Sequence, residues 1–260
     1  MLVPVYSLAK VFTAAAALHT FDLHERIGAL ATVPTRLAHL GLGDLLSHRS
    51  GLGDYGGWPE YRQAVEAREP AWPDERILER VELGPRGGFR YSNPGYLLVR
   101  RALESRYDAT LFEVLTRLVF DPNEMVAHPF DTVADWEGCA TSRVADVRRY
   151  DPAWAYPGTF VSDAASLERG LLGVLRSDVA PAMLEALPVD APGHPFAEPG
   201  YGRGLMTSGL PPRWAGHGGG GPGFTLFALA AADASRAHVA FENDEVADEA
   251  LIRECLASLS

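Results

Sequence analysis

The strongest constraint on this 260-residue chain is that helix-like and strand-like patterns are segregated along it. Up to Pro199, apolar residues recur at helical spacing or dissolve into loops; after it, short apolar runs alternate with Gly, Pro and Asp-Ala-Ser turns. Residues 8 to 20, alanine-rich and uncharged after Lys10, predict a helix buried on all sides. Further helices are predicted over 43–48 (ending at Gly51), 76–83, 95–107 and 110–119, the last stopped by Asp121-Pro122. Ser162 reads as an N-cap opening another to about Leu175. Residues 53–73 and 131–159, rich in Pro, Trp and Tyr, read as irregular. Strands are predicted over 201–207, 213–217, 224–231 and 237–243. A closing helix over 247–259 puts Leu251, Cys255, Leu256 and Leu259 on one face. Helices first, then an antiparallel sheet, then a helix is an α+β order.

Bulk properties exclude several classes of function. With 23 basic and 34 acidic residues, a net charge of −11 argues against nucleic acid or an anionic membrane as partner. No run of about 18 apolar residues could span a membrane. The start, Met1-Leu2-Val3-Pro4-Val5-Tyr6, lacks a signal-peptide pattern, so cytoplasmic residence is expected if Met1 is the native start. Cys139 and Cys255 are too few for a disulfide framework, and their pairing is left open. His24-Glu25 has no second histidine at helical spacing and reads as solvated surface. His39, His48, His128 and His194 are scattered and read as structural, so neither metal nor cofactor is expected.

Three clusters carry chemistry. Of the basic residues only Lys10 is a lysine, and Ser7 stands one helical turn before it. Arginine replaces lysine nearly anywhere except where a neutral amine is needed, so the pair reads as a nucleophile with its activator; an arginine-biased genome is the plain alternative. The second cluster is Tyr91-Ser92-Asn93-Pro94, whose Tyr91 and Asn93 could face one cleft or simply shape a turn. The third runs from Trp214 through His217 and four glycines to Phe224. Its backbone amides could serve an oxyanion hole; a flexible hairpin is the alternative.

In this order the clusters resemble the signatures of the serine β-lactamase-like family, which includes class C β-lactamases, D-alanyl-D-alanine carboxypeptidases, D-aminopeptidases and related carboxylesterases. Ser7/Lys10 is similar to its Ser-x-x-Lys, Tyr91/Asn93 to its Tyr-x-Asn, and His217/Gly219 to its Lys/His-x-Gly strand. Asp44–Leu52, Phe120–Met125, Tyr201–Leu205 and Phe241–Asn243 also resemble family segments, so the likeness spans essentially the whole chain. It implies a β-lactamase/transpeptidase-like α+β fold in a single unit over residues 1–260. A small antiparallel sheet (residues 1–20 plus 195–260) would be flanked by helices, with a mainly helical region over about 21–194. It implies that Ser7 forms an acyl-enzyme, that Lys10 and Tyr91 share the base role, and that Asn93 holds Lys10 and the substrate amide. His217 would stand near the substrate carboxylate or the phenol, and the amides of Ser7 and Gly220 would make the oxyanion hole.

Two departures shape the expectation. Only six residues precede Ser7, so the sheet should be smaller, with an edge left bare, filled by a partner chain in a homo-oligomer, or blunted in another way. His217-Gly218-Gly219 stands where β-lactamases have Lys-Thr-Gly, and a histidine holds a carboxylate less firmly. The expected function is a serine hydrolase of small esters or D-amino-acid amides. The alternatives are a β-lactamase or penicillin-binding carboxypeptidase, and, in another class, an inactive binding protein.

Overall fold

The computed structural model describes residues 1–260. The chain opens with a two-residue strand β1 (Val3–Pro4), one tight turn (Tyr6–Leu8) and helix α1 (Ala9–Thr20). Residues Ala9 to Ala17 of α1 are all buried, Lys10 among them, as the uncharged, alanine-rich run after Lys10 predicts. The helix is crossed so closely that a Cβ added at Gly204, itself at φ +78°, would lie 2.5 Å from Ala14 Cβ and 2.9 Å from the Lys10 carbonyl. Around it lie α2 (Ile27–Leu30), α3 (Leu42–Leu46), α4 (Pro59–Glu66), α5 (Asp74–Arg80), α6 (Asn93–Tyr107) and α7 (Leu111–Leu115). Helix α4 falls where an irregular segment is expected, because it buries only Ala64 and so shows no apolar period. Ser92 caps α6 by accepting from Gly95 N–H at 3.1 Å, which starts that helix two residues before its expected boundary. Helix α7 stops at Leu115 and widens into a π turn to Phe120.

Strands β2 (Ala127–Pro129) and β3 (Phe160–Ser162) join β1 in a three-stranded antiparallel sheet of order β1-β3-β2. Ser162 therefore ends a strand. The N-cap of α8 (Ala164–Arg176) is Asp163, whose carboxylate accepts from Ser166 N–H at 3.0 Å. A short α9 (Ala180–Leu184) follows.

The last third forms a second, six-stranded antiparallel sheet in sequential order: β4 (Leu187–Pro188), β5 (Pro199–Tyr201), β6 (Met206–Ser208), β7 (Trp214–Gly221), β8 (Phe224–Ala231) and β9 (Ala237–Glu242). Two sheets thus replace the single small one expected, and residues 3 and 4 belong to the first. The predicted 201–207 strand divides into β5 and β6. The glycine run is strand to Gly221, not a flexible hairpin; the turn falls at Pro222-Gly223, with Gly223 at φ +82°. All eight residues of β8 are buried, because its alternate side chains serve two layers. Phe224, Leu226, Ala228 and Ala230 enter the main core with α1 and α8, whereas Phe227, Leu229 and Ala231 pack under α10 (Asp248–Ser258) with Leu251, Ile252, Cys255 and Leu259. Both cysteines are buried and unpaired.

The outer edge of the sheet is β9, and α8 packs along it. Val239 N–H, which would otherwise face outward unpaired, donates to Glu168 Oε1 of α8 at 3.2 Å. The edge is thus blunted at that point by a carboxylate. No helix is long and apolar enough to cross a membrane.

Candidate active site

Ser7 sits in the tight turn between β1 and α1, fixed from three directions. Val5 N–H donates to the Phe160 carbonyl at 2.9 Å and Tyr6 N–H to Thr159 Oγ1 at 2.9 Å, tying the turn to the β3 segment. Tyr6 OH donates to the Pro222 carbonyl at 2.6 Å, tying it to the β7–β8 turn. Tyr6 itself is left-handed at φ +44°, a conformation costing a non-glycine residue on the order of 1 kcal/mol, which these bonds hold in place. Third, the turn opens directly into α1, so the serine inherits the rigidity of the most buried helix.

Lys10 Nζ and Tyr91 OH each lie 2.9 Å from Ser7 Oγ. The Lys10 side chain is 1% exposed, and its amine is 5.1 Å from the Tyr91 ring centre and 5.6 Å from that of Tyr96. Burial lowers its pKa from 10.5 to about 7, against an opposing pull from Asp54. Burial pushes the Tyr91 phenol well above its ordinary value, outweighing the bond to Ser7. Near neutral pH the lysine is therefore the group able to exist without its proton, while the tyrosine stays a phenol.

Asn93 lies beside this pair, in the first turn of α6. Contrary to the expectation that Asn93 holds Lys10, its side-chain Nδ2 donates to Asp54 Oδ2 at 3.4 Å, and its backbone N–H donates to Asp54 Oδ1 at 2.8 Å. The His217 ring centre lies 6.3 Å from that of Tyr91, in the cavity that holds Ser7. It is 3% exposed, Nδ1 is 2.6 Å from the Gly218 carbonyl, and Nε2 is 3.1 Å from Tyr201 OH. A carbonyl only accepts, so Nδ1 carries the proton and Nε2 accepts from the tyrosine. Burial, then the nearby Lys10 charge, lower the His217 pKa to about 3. The ring is therefore neutral and offers no charge to a substrate carboxylate. His48, fully buried, lies tilted against Tyr91 and Tyr201, its ring centre 4.3 Å and 4.9 Å from theirs, and it too is held neutral by burial and by Lys10.

The glycine strand flanks the serine. Strand β6 pairs only with Trp214–Gly216, so on the edge away from β8 the rest of β7 runs beside the Ser7 turn. A Cβ at Gly219 would lie 2.1 Å from the Val5 carbonyl and one at Gly221 2.6 Å from the Tyr6 ring, whereas one at Gly220 would meet nothing. Two cavities share Ser7 and Gly220. One, of about 180 Å3, is walled by Tyr55, Tyr61, Tyr150 and Trp154. The other, of about 460 Å3, is bordered by Phe89, Tyr201, Met206 and Asp248. A bond placed over Ser7 would have room on both sides.

Ser7, Lys10, Tyr91, Asn93, His217, Gly219 and Gly220 thus come together from three segments. Tyr6, Asp54, Thr159 and Tyr201 were missed in the sequence. Each acts through a partner 16 or more residues away, and Tyr6 is marked besides by its backbone angle.

A family model described as Beta-lactamase matches residues 1–253. Among solved structures the fold is similar to that of a D-stereospecific amidohydrolase from Streptomyces sp. (TM-score 0.83, 20% identity, covering 100% of this chain and 87% of that one). It is also similar to D-amino acid amidase from Ochrobactrum anthropi SV3 (TM-score 0.76, 21% identity, 98% of this chain and 92% of that one). A third likeness is to an octameric penicillin-binding protein homologue from Pyrococcus abyssi (TM-score 0.77, 18% identity, 100% of this chain and 66% of that one). No curated protein sequence matches.

Proposed function

The chain belongs to the β-lactamase family, and on that premise we propose that it hydrolyses small amides or esters of amino-acid type through an acyl-enzyme on Ser7. The observation that carries the reading is the placing of Ser7 Oγ, 2.9 Å from both Lys10 Nζ and Tyr91 OH and at the junction of two cavities. In the proposed sequence the neutral Lys10 amine takes the serine proton as Oγ bonds to the substrate carbonyl carbon. The carbonyl π electrons move onto oxygen, which the amides of Ser7 and Gly220 receive. Collapse of that intermediate breaks the bond to the leaving group. Tyr91 passes it a proton and is reprotonated from Lys10. Water then enters by the same steps in reverse and frees the acid and Ser7.

Lys10 is preferred to Tyr91 as base because one is near half-neutral at pH 7 and the other is held as a phenol. Amides and esters are preferred to penicillin-type substrates because neither cavity is lined by an arginine and His217 is uncharged. Similar folds in a D-stereospecific amidohydrolase and a D-amino acid amidase support the D-amino-acid class. The test is intact mass after incubation with a fluorophosphonate, alongside turnover of a D-amino-acid p-nitroanilide, a p-nitrophenyl ester and a chromogenic cephalosporin. The expected outcome is one adduct that Ser7→Ala does not take, with the anilide or ester turned over faster than the cephalosporin. Absence of an adduct on wild type overturns the hydrolase reading; faster cephalosporin turnover overturns the substrate class.

A further inference from the structure

We infer that Asp248 is a specificity determinant of the Ser7 site, recognising a protonated amine carried by the substrate a few bonds from the scissile carbonyl. The inference rests on the hydrolase reading above and narrows it to cationic acyl substrates. Asp248 borders the larger of the two cavities, the one that also contains Ser7, His217 and Gly218 to Gly220. Its carboxylate lies against the glycine strand: a Cβ built on Gly218 would stand 3.2 Å from Asp248 Oδ2. Gly218 is two residues from Gly220, so roughly 7 Å of strand separates the carboxylate's anchor point from the amide beside Ser7. A small amino-acid derivative spans that gap.

Charge makes the assignment selective. Asp248 is the only acidic residue lining either cavity, and Lys10, already committed to Ser7, is the only basic side chain other than the neutral His217. Asp248 enters no ion pair with an arginine, a histidine or Lys10, and no side chain donates to it. It is half-buried, and burial raises its pKa, with Glu249 adding to the rise and His194 opposing it. His194 is itself kept towards its neutral form by burial. A carboxylate that has lost part of its water without gaining a counter-ion is a site that an ammonium group completes. The same carboxylate repels the carboxylate of a penicillin or of a C-terminal peptide, so one residue favours one class and disfavours the other.

The decisive comparison uses two amides that differ only in the amine: D-phenylalanine p-nitroanilide and its deamino counterpart, 3-phenylpropionyl p-nitroanilide. Wild type should favour the amine-bearing partner by about tenfold or more in kcat/KM, the scale of a charge-assisted hydrogen bond. Asp248→Asn should erase that ratio, and Asp248→Glu should restore part of it, which a merely structural role would not produce. Fluorophosphonate labelling of Ser7 in each variant reports separately on the catalytic machinery. Labelling that proceeds in wild type with no amine preference, or a preference that survives in Asp248→Asn, overturns the inference while leaving the hydrolase reading standing. No labelling at all overturns the hydrolase reading instead.

Discussion

Lys10 must be buried to lose its proton, and burying an amine is costly to the fold. Its pKa of about 7 means that the folded state binds fewer protons than the unfolded chain between about pH 7 and 10.5. The penalty is thus full below pH 7 and vanishes above pH 10.5. The groups around it are Asp54, which favours the charge, the neutral His48 and His217, and the protonated Tyr91 and Tyr96. Lys10→Met should therefore melt at a higher temperature than wild type at pH 6, with the difference shrinking towards pH 10, while turnover falls by roughly 1,000-fold or more. Calorimetry at the two pH values checks the first half; a stability gain that grows with pH contradicts it. In wild type, kcat/KM should rise with pH through about 7 as the amine loses its proton. Lys10→Arg keeps the charge and should not support turnover; activity within about tenfold of wild type would sink the neutral-amine argument. At this scale Ser7, Lys10 and Tyr91 were legible because side-chain chemistry names them. Asp54 and Thr159 were not, because an aspartate or threonine becomes informative only once the fold brings its partner alongside.

Strand β7 shows how an element can be recognised and still be misread. Four glycines in a row suggest freedom, yet at three of them they reflect crowding: the strand is paired throughout with β8, and neighbours press on Gly218, Gly219 and Gly221 but not on Gly220. The two central positions should answer alanine in opposite ways. Gly219→Ala drives a methyl group into the Val5 carbonyl, so it should push the strand from the Ser7 turn and cost at least about tenfold in kcat/KM, with some loss of stability. Gly220→Ala adds a methyl group in open space, keeps the amide, and should stay within a few-fold of wild type. Steady-state kinetics on the pair settles the matter; equal losses would mean that crowding is not what the glycines serve. The helices were legible wherever they bury an apolar stripe, as α1, α6 and α8 do. Helix α4 was not, since a helix lying on the surface has no stripe to show.

On the scale of the molecule, the order of helices then strands predicts the α+β architecture, but not that the first residues would join a separate sheet. A two-residue strand carries almost no pattern, and its pairing with β3 across more than 150 residues leaves no local trace. The main sheet's outer edge is managed by one side chain, Glu168, which accepts from Val239 N–H and faces His238. Glu168→Ala should leave that amide unpaired and promote concentration-dependent self-association in sedimentation velocity, whereas Glu168→Gln, which retains an acceptor, should behave as wild type. Identical sedimentation of the alanine variant and wild type would show that the carboxylate does not guard the edge.

The burial of the sole lysine also decides how the molecule meets reagents. Lys10, the sole lysine, is 1% exposed, so residues 1–260 in the folded state offer no lysine amine to solvent. A lysine-directed protease has one bond to cut, after residue 10, and can reach it only when the central helix opens. That bond lies three residues after Ser7, so the fragment ending at Lys10 contains Ser7 and would carry away whatever group is attached to it.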